Sequence, residues 1–254
     1  MKMKTIIITG AASGIGKAVA ELFYSEGWQL GLLDLNPTPL QDTVKDWDKS
    51  RYCIVAANVT DPDQVETALQ QIMQSIRLPD VLFNCAGVLE VGDFEAITLD
   101  RHHRILDINN KGVLNCCYFA FPYLKQNPGS RVINMSSASS LYGIPGFASY
   151  SASKFWVKGF TEALNLEWAR YGIQVMDIEP PFVNTPMLAN KQAQIIRRLG
   201  VKLVAEDIAV QVFQAAQGER LHNAVSREYK VLRAARKCLP DRAAHKLVKW
   251  MSGY

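Results

Sequence analysis

The chain has 254 residues, of which 48% are hydrophobic by type, and a formal net charge of +4 at pH 7. That length suffices for one large α/β core, and no apolar run approaches the ~20 residues that span a bilayer. Five cysteines without a Cys-x-x-Cys spacing and four histidines without a ligand pattern argue against a disulfide frame and a metal site, and fit reduced thiols in a cytoplasmic protein.

Residues 4–9, Lys-Thr-Ile-Ile-Ile-Thr, have the β-branched run of a buried parallel strand. The start of the chain mimics a signal peptide, but its apolar run is too short and leads straight into Gly10-Ala-Ala-Ser-Gly14-Ile-Gly16. Helical periodicity follows from Lys17. Strand, glycine-rich turn and helix N-terminus make an anion cradle, because glycine admits a pyrophosphate close to the backbone and the helix dipole favours its charge. Gly10, Ser13, Gly14, Ile15 and Gly16 are the candidate contacts. The spacing differs from the common dinucleotide fingerprint, and Ile15 stands where a nucleotide-triphosphate loop needs glycine. Alone, the pattern marks only a tight turn.

Residues 30–35, 52–56, 81–84, 131–135 and 173–178 read as further strands, with residues 221–225 a candidate last one. Helical stretches separate them, which predicts a Rossmann-type doubly wound parallel β-sheet with helices on both faces. Asp34 ends the second strand, where a carboxylate accepts from an adenosine ribose diol and repels a 2′-phosphate. No arginine stands beside it, so NAD(H) is favoured over NADP(H); a turn-forming aspartate ahead of Leu35-Asn36-Pro37 is the plainer alternative. Further on, Tyr150 and Lys154 are one helical turn apart and reach a common ligand from one face. A phenol titrating near ~10 is a poor base at pH 7 unless a fixed cation lowers that value. As an isolated pair, Tyr-x-x-x-Lys is a frequent accident of a helix surface.

Taken in order, Thr9-Gly-x-x-x-Gly-Ile-Gly16, Asn84-Cys-Ala-Gly87, Asn109, Ser137 and Tyr150-x-x-x-Lys154 resemble the short-chain dehydrogenase/reductase family in its compact form. The resemblance holds in register over residues 4–190 and more loosely to 226. It implies an oxidoreductase that interconverts a secondary alcohol and a ketone by hydride transfer with a nicotinamide cofactor. Tyr150 is then the acid/base, Ser137 the hydrogen-bond partner of the substrate oxygen, and Lys154 the holder of the nicotinamide ribose. Asn109, in Ile108-Asn-Asn-Lys-Gly112, matches the family asparagine that kinks a helix and holds a proton-relaying water; Asn110 is its rival. Asn58-Val59 stands near the adenine, where the family has Asp-Val. Ala86 and Gly87 are backbone contacts, with Asn84 mainly a brace of the sheet. Val183 and Thr185 match the loop that holds the nicotinamide carboxamide, although Pro181 replaces its usual glycine and removes an amide.

Val88, Leu89, Leu141, Tyr142, Phe182 and Met187 are the expected walls of a substrate pocket suited to a lipophilic alcohol or ketone. Two other readings stand beside this one: an NADPH-dependent 3-oxoacyl-carrier-protein-type reductase, which Asp34 disfavours, and a non-catalytic nicotinamide-binding regulator, which would have no need of Tyr150. The family also implies a homodimer or homotetramer through long helices near residues 101–125 and 150–171.

Residues 1–226 are expected to form the dinucleotide-binding and catalytic domain, and residues 227–254 a short basic helical C-terminal appendage. This tail carries eight lysines and arginines against Glu228 and Asp241, Lys237 among them, and lacks the Asp-Gly-Gly strand of compact members. Ala244, Leu247, Val248 and Met251 recur at helical spacing. Such a segment either covers the domain or a partner subunit, or touches an anionic membrane peripherally. Nucleic acid is not an expected partner, because the charge is local and lacks interleaved aromatics.

Overall fold

A computed structural model describes residues 3–189, 191 and 193–254. The readings of Met1 and of the Lys237 side chain lie outside the described residues. In chain order the elements are β1 (Thr5–Thr9), α1 (Gly14–Ser25), β2 (Gln29–Asp34), α2 (Thr38–Val44), β3 (Tyr52–Ala56), α3 (Pro62–Ser75), β4 (Val81–Asn84), α4 (Leu99–Leu106), α5 (Gly112–Leu124) and β5 (Arg131–Met135). There follow α6 (Ala148–Trp168), β6 (Gln174–Glu179), β7 (Val183–Asn184), α7 (Gln194–Leu199), β8 (Leu203–Val204), α8 (Ala205–Ala215), β9 (His222–Ala224), α9 (Arg227–Cys238) and α10 (Asp241–Ser252).

Seven strands form one parallel sheet in the order β3-β2-β1-β4-β5-β6-β9, the doubly wound arrangement expected from the sequence. Strand alternation divides the core in two. Ile6 and Ile8 face one layer with Ala18, Val19 and Phe23 of α1 and Ile208 and Val212 of α8. Ile7 faces the other with Val65, Leu69 and Ile72 of α3 and Val113, Cys116 and Ala120 of α5. β7 and β8 pair as a separate two-stranded ribbon beside the sheet.

The order reverses between β1 and β4, so a crevice opens at their carboxyl ends. Thr9 braces it: its hydroxyl accepts from the backbone amides of Cys85 and Ala86, both at 3.1 Å. Four strands differ from expectation by one residue at their ends: 5–9 for 4–9, 29–34 for 30–35, 174–179 for 173–178 and 222–224 for 221–225. Asp34 turns the chain by accepting from Asn36 N at 3.0 Å, which leaves Leu35 69% exposed. Ile173 donates back to Trp168 and so belongs to the helix end rather than the ladder.

The last helices lie against this framework. Glu179, fully buried on β6, meets Arg233 at 2.9 Å and Lys158 at 3.1 Å, and Tyr229 Oη donates to it at 3.3 Å. Glu179, Asp177 and His222 form a compact acidic–imidazole group, already held by these cations and by the 3.0 Å Asp177–His222 bond. Ala244 of α10 is buried, Met251 packs against Leu89 and Phe147, and Tyr254 Oη donates to Asp93. No helix among the described residues is long and apolar enough to cross a membrane.

Candidate active site

The cradle forms where β1 runs into α1. Gly10 adopts φ +68°, and a Cβ there would stand 2.8 Å from Ala86 Cα. A Cβ on Gly16 would stand 2.1 Å from the carbonyl oxygen of Gly10, so the loop closes on itself only through glycine. Ser13 makes no side-chain capping bond to the first turn of α1, where the Gly16 amide donates to the Cys85 sulfur. The glycine loop therefore fits a pyrophosphate. Asp34 helps to hold the loop, its Oδ2 accepting from Ala12 N at 2.9 Å. Both its oxygens thus serve backbone turns while the carboxylate still lines the cleft.

That cleft encloses about 320 Å³ and brings together most of the residues singled out in the sequence. Gly10, Ser13, Gly14, Ile15, Gly16, Asp34, Asn58, Val59, Ala86 and Gly87 line it together with Ser137, Tyr150, Lys154, Val183 and Thr185. Leu89, Phe182 and Met187 close its wall. Thr185 lies against Gly14, which folds the loop after β6 over the cradle. Pro181 also lines the cleft, and the loop is tied through Pro180, whose carbonyl accepts from Ala138 N at 2.8 Å.

Four expected contacts sit elsewhere or are otherwise engaged, Leu141 among them, which lines the neighbouring space toward α9 and α10 and not the cleft. Asn84 is buried away from the cleft, donating to Asn134 at 2.8 Å and toward Cys117 at 3.3 Å, so it is a brace and not a cofactor contact. Tyr142 does not line the cleft; it faces α9 and α10, with its hydroxyl 3.4 Å from His245 Nδ1. Asn58 lines the cleft, but its Oδ1 already accepts from Thr60 N at 3.1 Å and Thr60 Oγ1 at 3.0 Å.

α6 carries Tyr150 and Lys154 on one face, as their spacing demands. Ser137 caps the turn after β5, its Oγ accepting from Ser139 N at 3.1 Å, and it also hydrogen-bonds Tyr150. Asn109 is 1% exposed on a π-turn, Asp107–Lys111, that joins α4 to α5. Its Oδ1 accepts from Val88 N at 2.8 Å, and its Nδ2 donates to Val88 O and Ser153 Oγ, both at 3.1 Å. Asn110 donates to Ser153 O at 2.8 Å, so both asparagines position α6 and Asn109 alone reaches the loop after β4.

Charge at the site departs from expectation. Burial raises the Tyr150 phenol above its ordinary value, and only the Ser137 hydrogen bond opposes it. Burial also pulls the Lys154 ammonium down to about 8. The expected lowering of the tyrosine by the lysine is absent because Nζ donates to the Met135 carbonyl at 2.8 Å and stands 5.6 Å from the phenol ring centroid. Desolvation is the largest influence on both groups. The Met135 carbonyl was invisible to sequence reasoning, since a main-chain acceptor has no residue-type signature. Cys85 lines the same cleft, and burial pushes its thiol up to about 12, so it is an inert wall and not a nucleophile.

Comparison with known proteins agrees with this architecture. The family described as short chain dehydrogenase matches residues 4–196. A 3-oxoacyl-[acyl-carrier-protein] reductase of Thermotoga maritima is 34% identical over 186 residues, covering 72% of this chain and 76% of that protein. The 3-ketodihydrosphingosine reductase of Mus musculus is 30% identical over 212 residues; this chain is covered to 81% and spans 63% of that protein's length. A crystal structure of 3-ketoacyl-(acyl-carrier-protein) reductase from Brucella melitensis complexed with NADH superposes with TM-score 0.80 at 25% identity, over 87% of this chain and 96% of that one. The chain belongs to the short-chain dehydrogenase family, whose members are oxidoreductases acting on alcohol and keto groups.

Proposed function

We propose that the protein interconverts a lipophilic secondary alcohol and a ketone with NAD(H), with Tyr150 as the acid/base. The observation that carries this is the meeting of Ser137, Tyr150 and Lys154 in the same cleft as the glycine cradle. A bound nicotinamide dinucleotide would supply the hydride acceptor or donor. Gly10, Ser13, Gly14, Ile15 and Gly16 would take its pyrophosphate, Asp34 its adenosine ribose, and Val183 and Thr185 its carboxamide. Tyr150 takes the alcohol proton in oxidation and returns it in reduction. Ser137 holds the substrate oxygen and steadies the charge that develops on it. Lys154 would hold the nicotinamide ribose, and Asn109 fixes the start of α6 through Ser153.

The relatives differ in the substrates they are named for, so likeness alone does not choose one. Asp34 favours NAD(H) and so opposes an NADPH-dependent acyl-carrier reductase, while an intact Ser137–Tyr150–Lys154 set opposes a regulator without turnover. Exposed Leu114, Tyr118, Phe155 and Leu166 on α5 and α6 support a homodimer or homotetramer through that face. We place residues 227–254 as part of the catalytic body. Equal vesicle co-sedimentation with and without the tail is the outcome that reading requires; tail-dependent pelleting would favour peripheral membrane contact. A panel of secondary alcohols with NAD, followed by absorbance of the reduced nicotinamide, tests the activity. No turnover across the panel, with coenzyme binding intact, would support the regulator instead.

A further inference from the structure

A second cavity opens off the candidate active site. It shares Ser137, Ser139, Pro181 and Phe182 with the main cleft and encloses about 100 Å³. Its far walls are aliphatic: Ile144 and Ile195, then Leu232 of α9 and Leu247, Val248 and Met251 of α10. Arg236 is the one charged side chain among its described lining residues, and its charge is engaged. Nη2 donates to Asp241 at 2.8 Å, Nη1 to Leu239 O at 3.3 Å, and the guanidinium rests over the Tyr142 ring at 5.7 Å.

Polarity therefore runs one way along this space. Hydroxyls of Ser137 and Ser139 stand at the end shared with the cleft, and the remainder is lined by alkyl groups with Tyr142 and the engaged Arg236. Water settles in a cavity where it finds two to four polar partners, and these walls supply almost none. A hydrocarbon chain loses nothing by entering. Its carbonyl end would stay beside Ser137, the one position where the reacting oxygen finds both a hydroxyl and Tyr150.

We infer that this chamber is the subsite for the alkyl chain of the substrate. It selects aliphatic ketones and secondary alcohols whose hydrocarbon chain runs from Ser137 under α9 and α10. The inference rests on the redox reading above. It also gives residues 227–254 a catalytic purpose, because the roof of the chamber comes from the segment in which the chain departs from compact family members.

The test is a homologous series from 2-butanol to 2-dodecanol at fixed NAD. In the wild type, kcat/KM rises by roughly fourfold per methylene until the chamber is full, then levels off. Val248→Trp fills the space and lowers the long-to-short ratio of kcat/KM by about tenfold or more. Val248→Ala enlarges it and moves the plateau to longer chains, which separates filling from misfolding. The melting temperature in saturating NADH is read with the same alcohols, so that binding is scored without turnover. A rise in melting temperature with chain length, abolished by Val248→Trp, supports the chamber even if none of the alcohols is oxidised, and in that case the redox reading alone falls. A flat response to chain length in both measurements overturns the inference and leaves the redox reading standing.

Discussion

Lys154 donates from Nζ to the main-chain oxygen of Met135 at 2.8 Å, and in doing so places an ammonium where little water reaches it. Burial holds its pKa at about 8, below the unfolded value near ~10.4. Between those values the unfolded chain binds more protons, so stability rises with pH across that window and the penalty is fully present below it. The cost at pH 7 is about 3 kcal/mol, at ~1.36 kcal/mol per unit. Lys154→Met is therefore expected to be more stable than wild type at pH 7 while losing activity. The stability difference, read by denaturant unfolding without coenzyme, shrinks as pH climbs from 8 toward 10; a gap independent of pH would contradict the assignment.

Tyr150→Phe keeps the ring and its packing and removes the proton carrier. Coenzyme affinity is expected to stay within about twofold, and turnover to fall by on the order of 10²–10⁴. Because burial raises the phenol, oxidation by the wild type accelerates with rising pH at limiting substrate, while ketone reduction weakens as Lys154 loses its proton near pH 8. A reduction rate that holds level well beyond pH 9 would dissociate Lys154 from the chemistry.

Asp34→Ser removes the carboxylate that, in the proposed complex, would repel the 2′-phosphate of NADP. The ratio of kcat/KM with NADP to that with NAD is expected to climb by on the order of tenfold or more. The same change weakens the acceptor of Ala12 N, so a modest drop in melting temperature accompanies it. An unaltered ratio would mean that Asp34 serves the turn alone.

Gly16→Ala directs a methyl at the Gly10 carbonyl, backbone against backbone, and is expected to cost about 3 kcal/mol or more and to abolish coenzyme binding. Gly27→Ala is the control. It keeps a left-handed φ of +84° but meets nothing within 4 Å, so it costs only about 1 kcal/mol. Gly16 itself has an ordinary helical φ, so equal losses in urea titrations would show that the loop yields to the added methyl and the close approach carries no special cost.

Glu179→Ala leaves Lys158 and Arg233 facing a void at the root of α9. Removing one partner of such a buried group typically costs about 3–5 kcal/mol, and residues 227–254 should become sensitive to limited proteolysis. Lys202→Ala, which breaks an exposed pair with Glu228, should change stability by less than about 1 kcal/mol. Protection of the tail in Glu179→Ala would place its anchorage elsewhere.

Much of this could be read in the chain because its chemistry is local. Strands over 52–56, 81–84 and 131–135 stand at the expected bounds, since short apolar runs between helices leave little choice of ladder. The cradle and the Tyr150–Lys154 pair were legible through the ordered set of motifs that resembles the family, since each alone marks only a tight turn or a chance pair. What escaped depends on distance in sequence. Tyr142 reads as a wall of the main cleft, yet the chain turns it toward α9 and α10, which no spacing announces. The apolar face of α10 was evident, but periodicity gives a face and not the surface it covers. β7 and β8 have two residues each, too few for alternation to register.

The π-turn at Asp107–Lys111 gives the joined helix one residue more than a regular α-helix would hold there. Deleting a single residue in that stretch would restore the ordinary ladder and leave Cys116 and Ala120 facing the interior, because the extra residue is what the wide turn absorbs. An α-helix advances by about 100° per residue, so winding all the same residues as a regular helix would instead swing that stripe off the sheet. The irregularity works as a phase adjuster: it lets one continuous rod point Asn109 at Val88 upstream and still present the correct stripe to the sheet.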